Sequence, residues 1–283
     1  MSIQSVGVLG CGLMGAGIAQ VCAQSGYRTV VREVDQAVLD KGFGRMRKFL
    51  EDGVQKGKVP PEARDATLAN LSGTTTFDAL AGCDLVIEAI VENLDAKRQA
   101  YAAVEAVVGQ DAILVSNTSS LCITELAAAT QRPDRFGGLH FFNPVPLMKL
   151  VEVVRGLSTS DATYQALFAF AQSLGKEPIT APDRPGFIVN RLLVPYLLDA
   201  IRAYENGLGT LDDIDAGMKL GCGYPMGPFR LLDFVGLDTT YYIANIMFDE
   251  FREPAYAPPP LLKRMVLAGR VGKKVGKGFY DYV

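Results

Sequence analysis

Two groups of residues in this chain carry types and spacing suited to chemistry. The first is Val6-Gly7-Val8-Leu9-Gly10-Cys11-Gly12-Leu13-Met14-Gly15, a GxGxxG spacing set directly after an apolar run and at the start of a helical pattern. In that setting Gly10 permits a tight turn, Gly12 lets backbone approach a pyrophosphate, and Gly15 lets the helix pack close on the strand. The helix start, from Leu13 and Met14 onward, offers unpaired N–H donors to the anion. Glu33 ends the next β-branched run, Thr29-Val-Val-Arg-Glu33, eighteen residues after Gly15. A carboxylate at about that distance accepts from the ribose hydroxyls of a dinucleotide and repels a 2′-phosphate, which favours NAD over NADP. Arg32 works against that preference, and Asp35 competes for the ribose contact.

The second group surrounds His140, the only histidine in the chain. It closes the apolar pattern Gly138-Leu-His140-Phe-Phe-Asn143-Pro144, where a histidine is more often a satisfied core residue than a catalyst. A reaction that takes hydride from an alcohol carbon also needs a group titrating near neutrality to take the hydroxyl proton, and histidine does so without special tuning. Glu152, twelve residues on, is the single charge in Leu150-Val-Glu152-Val-Val154. A carboxylate buried there must be paired or hydrogen-bonded. Pairing with His140 would satisfy both, fix the imidazole tautomer and stabilise the imidazolium. An ion pair with Lys149 or Arg155 is the other open reading.

These residues need a scaffold, and the pattern supplies one. Short β-branched runs at Ser5–Leu9, Thr29–Glu33, 74–76, 85–89, Ile113–Ser116, 138–141, 150–154 and 177–180 alternate with helical periodicity at Leu13–Gln24, 37–55, 94–108 and 162–173. That alternation predicts βαβ units and a parallel sheet. Prolines and a glycine in Ala181-Pro-Asp-Arg-Pro-Gly186 interrupt it, and helical patterning follows almost to the end. The expected fold is therefore a Rossmann-type α/β domain with a doubly wound, mostly parallel sheet over residues 1–183, then an all-α domain over 184–283. The first helix of the second part, over 187–206, reads as apolar on most sides, which predicts burial in a core or against a second copy of the chain. A homodimer through these helices is the expectation.

The motifs Gly10-x-Gly12-x-x-Gly15, Glu88-Ala-Ile-Val-Glu92-Asn, Ser116-Asn-Thr-Ser-Ser120, His140-Phe-Phe-Asn-Pro-Val-Pro146, Asp183-Arg-Pro-Gly-Phe-Ile-Val-Asn-Arg191 and Tyr224-Pro-Met-Gly-Pro228 together resemble the L-3-hydroxyacyl-CoA dehydrogenase family. Within it, the short bacterial 3-hydroxybutyryl-CoA dehydrogenases are the most similar branch. The resemblance spans nearly the whole chain. It implies an NAD-dependent interconversion of a 3-hydroxyacyl-CoA and its 3-keto form, with His140 as base and Glu152 as its carboxylate partner. It further implies that Ser119 and Asn190 contact the oxygen at C3 and help hold the histidine, that Glu92 and Asn143 line the nicotinamide half of the cofactor site, and that Lys97 neighbours it. Three positions depart from the pattern: Glu33 stands where Asp is usual, Arg230 where a carboxylate is common, and Val275 where a hydroxyl is usual.

Each residue also has a plainer reading. Asn117, Ser119 and Ser120 follow a strand and could shape a turn and cap a helix. Asn190 lies early in an apolar helix, where its amide needs some partner. CoA phosphates need cations, and Lys56 and Lys58, in Val54-Gln-Lys-Gly-Lys58, are the candidates, although lysines in a loop are usually solvated surface.

Composition narrows the field. With 283 residues and a net charge of −3, the chain has no overall attraction for nucleic acid or an anionic membrane. The five cysteines lack CxxC spacing, which suggests neither a metal cage nor a disulfide framework. Met1 runs almost directly into the first strand, and no 18-residue apolar stretch appears, so the reading is a cytoplasmic protein. A hydroxy-acid or sugar-acid dehydrogenase with a lysine base, and a non-catalytic NAD-binding protein, remain as alternatives.

Overall fold

The computed structural model describes residues 3–282 and divides into two compact units, 1–184 and 185–283. The first unit alternates strand and helix: β1 (Ser5–Leu9), α1 (Leu13–Gln24), β2 (Arg28–Arg32), α2 (Gln36–Gln55), α3 (Pro61–Ala69), β3 (Leu71–Thr74), β4 (Leu85–Glu88), α4 (Leu94–Glu105), β5 (Ile113–Ser116), α5 (Ile123–Ala128), β6 (Phe136–Phe141), β7 (Leu150–Arg155), α6 (Asp161–Ser173) and β8 (Glu177–Pro182). The strands form one sheet in the order β3-β2-β1-β4-β5-β6-β7-β8. Every neighbouring pair is parallel except β6 and β7. Strands β1, β4, β5 and β6 are buried at every residue, as central strands covered on both faces must be, and they read as near-continuous apolar runs. This is the doubly wound, mostly parallel arrangement expected.

The antiparallel pair has a consequence for the site. Directly opposed residues on such a ladder project from the same face with their Cβ atoms about 5 Å apart. His140 and Glu152 are opposed partners in the β6–β7 register.

Three elements differ from the sequence expectation. Helix α3 carries one buried residue, Thr67, so it shows almost no apolar periodicity. Strand β3 is the sheet edge and half exposed, and it pairs Leu71 with Thr29, ahead of the expected 74–76. Helix α5 has only six residues and no capping side chain of its own. Its start is held instead by Asp183, which accepts from the Ile123 and Thr124 amides at 2.7 Å each and from Thr124 Oγ1 at 2.6 Å. Local patterning cannot reveal an acceptor sixty residues away. Asp183→Ala leaves these donors without their acceptor and is expected to lower stability by about 1–3 kcal/mol in a urea titration.

The second unit is helical: α7 (Val189–Glu205), α8 (Leu211–Cys222), α9 (Pro228–Val235), α10 (Leu237–Phe251) and α11 (Pro260–Leu267). The reading of α7 as apolar on most sides is corrected here. Val194, Leu197, Leu198, Ala200 and Ile201 form a buried stripe, while Asp199 and Arg202 pair with each other at 2.6 Å on the outer side. Leu192 is 73% exposed among them.

Two buried aspartates organise this core. Asp215 accepts from the Phe229 and Arg230 amides at the start of α9 and from the Tyr280 hydroxyl. Asp233 accepts from the Phe279 and Tyr280 amides and from the Tyr282 hydroxyl, drawing the C-terminal tail onto α9. The aromatic tail is packing, with Phe279 against Phe229 at a ring separation of 4.7 Å. Arg230 lies over the Tyr280 ring and Val275 is exposed.

Candidate active site

The C-terminal ends of β1, β2, β4, β5 and β6 carry most of the candidate residues of the first unit, and β7 carries Glu152. After β1 the chain turns at Gly10 with φ +94°, a conformation side chains resist, and the Gly10 amide donates to Arg32 O at 2.8 Å. A Cβ at Gly10 would stand 2.6 Å from Ala89 O, and one at Gly15 would stand 2.0 Å from Gly10 O. Gly12 differs: a Cβ there would meet nothing within 4 Å. Its lack of a side chain is therefore not a packing requirement of the protein. Gly12 is also the N-cap of α1 and offers no side chain to cap it, and Leu13 beside it is 63% exposed. A twelve-residue helix that starts uncapped at an open glycine suits an anionic ligand.

Glu33 reaches this turn. One of its oxygens accepts from the Cys11 amide at 2.7 Å and the other from the Val34 amide at 2.7 Å. Asp35, the competitor for the ribose contact, is the N-cap of α2 and accepts from the Val38 amide. Arg32 stacks on Phe77 with its guanidinium carbon 4.0 Å from the ring centre.

At the end of β6, His140 is 4% exposed and Glu152 fully buried. Glu152 Oε2 lies 2.6 Å from His140 Nδ1, and Ser119 Oγ lies 2.9 Å from His140 Nε2. A buried carboxylate only accepts, so the proton sits on Nδ1 and the Nε2 lone pair faces the serine. The other reading of Glu152 falls away, because Lys149 pairs with Glu177 and Arg155 with Asp161. The turn after β5 divides its labour. Asn117 accepts from the Phe141 amide and steadies the strand next to His140, Ser120 donates to Glu92, and Ser119 faces the imidazole.

Glu92 and Lys97 form a third cluster. Lys97 is 1% exposed, and its ammonium lies 2.6 Å from Glu88 and 3.0 Å from Glu92. The Thr118 hydroxyl donates to Glu92 as well. Burial pushes the Glu92 carboxyl up, but Lys97 and the hydrogen bonds from Thr118 and Ser120 outweigh it and hold the group below the usual carboxylate range. Asn143 is exposed at a cis peptide bond to Pro144, just beyond β6. Lys56 and Lys58 are exposed on the turn after α2. Gly42, the α2 residue whose added Cβ would strike Cys11, lies about 21 Å from Lys56 along the helix axis, at 1.5 Å per residue. Asn190 belongs to the other unit, half-buried in the first turn of α7.

Comparison with known proteins accounts for the whole chain. A family model described as the NAD binding domain of 3-hydroxyacyl-CoA dehydrogenase matches residues 5–184, and one described as its C-terminal domain matches 186–282. The chain belongs to the 3-hydroxyacyl-CoA dehydrogenase family. It is 50% identical to a 3-hydroxybutyryl-CoA dehydrogenase of Mycobacterium tuberculosis over 283 residues, 99% of each chain. It is 46% identical to the human mitochondrial hydroxyacyl-coenzyme A dehydrogenase over 99% of this chain and 91% of the other. The solved structure of (S)-3-hydroxybutyryl-CoA dehydrogenase from Ralstonia eutropha superposes with a TM-score of 0.95 at 45% identity over the full length of both. The first unit of this dehydrogenase is thus an NAD-binding domain, and the glycine turn is the part of it whose geometry fits a dinucleotide. Among the described residues no helix is long and apolar enough to cross a membrane.

Two buried residues of this family member escaped the sequence reading, Glu88 and Tyr101. The signal was present. Glu88 is a lone acid ending the apolar run Leu85-Val-Ile, the same argument that singled out Glu152. Lys97 and Tyr101 stand four residues apart, and therefore on one face of α4.

Proposed function

We propose that the protein interconverts (S)-3-hydroxyacyl-CoA and 3-ketoacyl-CoA with NAD(H), and that 3-hydroxybutyryl-CoA is its substrate. The observation that carries this reading is His140 held between Glu152 and Ser119 in the same sheet that presents the glycine turn. The chemistry that bound NAD contributes is hydride exchange with C3 of the substrate. In oxidation, neutral His140 accepts the C3 hydroxyl proton at Nε2, and Glu152 stabilises the imidazolium through Nδ1. Ser119 donates to the C3 oxygen and keeps it near Nε2. In reduction His140 returns the proton.

The remaining assignments belong to the same proposal. Asn190 is a second contact to the C3 oxygen, and Glu92 and Asn143 line the nicotinamide half. Lys97 acts there through Glu92, since its ammonium is engaged by two carboxylates. Leu13 and Met14 open the helix at the pyrophosphate, and Lys56 and Lys58 bind CoA phosphates. Self-association through the helical unit is supported by Leu192, Leu208 and Leu220, each more than 70% exposed. Sedimentation velocity reads it directly.

The test is a spectrophotometric assay with acetoacetyl-CoA: NADH is oxidised, and activity falls on longer 3-ketoacyl-CoAs. No absorbance change from four to sixteen acyl carbons, with NADH or NADPH, removes the proposal. Cofactor choice is tested separately. Glu33→Ala removes the carboxylate that repels a 2′-phosphate beside Arg32, and the NADH over NADPH ratio of kcat/KM is expected to drop about tenfold, worth roughly 1.4 kcal/mol.

A further inference from the structure

Glu88 is fully buried at the end of β4, between the strand that leads into the glycine turn and the strand that leads into the serine turn. In register it faces Leu9 on one side and Ser116 on the other. Four donors converge on its carboxylate. Oε1 accepts from the Ile90 amide at 2.8 Å and from Lys97 Nζ at 2.6 Å. Oε2 accepts from the Tyr101 hydroxyl at 2.8 Å and Ser116 Oγ at 2.7 Å. Only an ionised carboxylate can accept all four. A glutamine would turn an N–H₂ group toward two of these donors.

Each bond reaches a different part of the candidate site. The Ile90 bond shapes the 89–90 backbone, against which the Gly10 turn packs so closely that a Cβ on Gly10 would collide with Ala89 O. The Lys97 bond orients an ammonium that also holds Glu92. Ser116 Oγ, while donating to Glu88, accepts from the Thr118 amide at 3.1 Å, and Thr118 in turn is held by Glu92. Ser119, the residue on His140, lies between Thr118 and Ser120, both of which donate to Glu92. Cofactor turn and serine turn are therefore referenced to a single buried acid.

We propose that Glu88 is a positioning residue that holds the glycine turn and the Ser119–His140 pair at their working separation, with Tyr101 as the donor that fixes its rotamer. What that separation accomplishes rests on the proposed dehydrogenase reading. The position of the cofactor turn does not.

Tyr101→Phe is the first variant to test. It removes one donor and keeps the ring packed edge-on against Phe136, whose centre is 5.1 Å away. Glu88→Gln is the stronger variant. The chain has no tryptophan, so NADH fluorescence reads cofactor affinity without transfer from one. Expected for folded Glu88→Gln are a rise in the NADH dissociation constant and a fall in kcat, each about tenfold, with a smaller change of the same kind for Tyr101→Phe and an unchanged KM for acetoacetyl-CoA. Combining Tyr101→Phe with Ser119→Ala should cost less than the product of the two single losses, because both act through one serine. A purely structural role predicts a lower Tm with wild-type NADH affinity and wild-type kcat per folded molecule, and that result overturns the inference. If Glu88→Gln does not fold, Tyr101→Phe decides by the same readings. A wild-type protein inert toward 3-ketoacyl-CoAs of four to sixteen carbons would end the proposed function, yet the NADH titrations would still decide whether Glu88 sets the cofactor turn.

Discussion

His140→Ala is expected to lower turnover of acetoacetyl-CoA by about 10²–10⁴-fold, the range that general acid–base catalysis contributes. NADH affinity should stay within a factor of about two, because the glycine turn is held by Glu33, which accepts from the Cys11 amide, and by the Arg32 carbonyl, which accepts from the Gly10 amide. The physical reason lies in the hydrogen-bond chain. Glu152 fixes the proton on Nδ1, so the Nε2 lone pair is directed at Ser119. An alanine leaves Glu152 as a fully buried carboxylate without its main donor, so part of the response will be in stability, at about 3 kcal/mol or more. Equilibrium unfolding therefore has to accompany the rate measurement. His140→Gln separates the two effects, since its amide can donate to Glu152 yet cannot shuttle a proton. A His140→Gln enzyme that folds and turns over at the wild-type rate would show that the proton leaves by another route.

The sequence exposed those parts of this site whose constraints are local. A glycine spacing after an apolar strand announces the dinucleotide turn because the reasons for each glycine lie within a few residues. The His140 and Glu152 pairing is also legible, because two adjacent strands that carry one polar residue each over 136–141 and 150–154 leave few ways to satisfy a buried carboxylate. Other features depend on contacts between distant segments. Asp183 caps α5 across sixty residues, and β3 is a strand because Leu71 meets Thr29 and not because its own residues favour it. Residue types alone make α7 read as apolar on most sides, whereas the fold pairs Asp199 with Arg202 outside the buried stripe. Glu88 follows the same rule as Glu152, a lone acid ending an apolar strand, but the donors that satisfy it lie on α4 and β5 and not on the next strand in sequence.

The two glycines flanking Leu13 and Met14 should fail in opposite ways, and that contrast separates folding from cofactor binding. At Gly15 an added methyl would lie 2.0 Å from Gly10 O and 2.8 Å from Gly10 C, both backbone atoms of the turn itself. Nothing flexible can yield there. Gly15→Ala gains up to about 1 kcal/mol of helix propensity but forces strand and helix apart, and a net loss of about 3 kcal/mol is expected. That is a large share of the 5–15 kcal/mol typical of a domain. Gly12 has φ −64°, which alanine adopts without strain, and open space where the methyl would go. Gly12→Ala should therefore unfold at the wild-type temperature in the absence of cofactor. What it loses is the close approach of a pyrophosphate to the helix N-terminus. At NADH concentrations 100-fold above the dissociation constant, binding stabilises the wild type by about 2.7 kcal/mol, or several degrees at roughly 2–4 °C per kcal/mol. In Gly12→Ala that shift should vanish. A Gly12→Ala protein that retains the full NADH-induced shift would mean that the open face of this glycine is not where the dinucleotide lies.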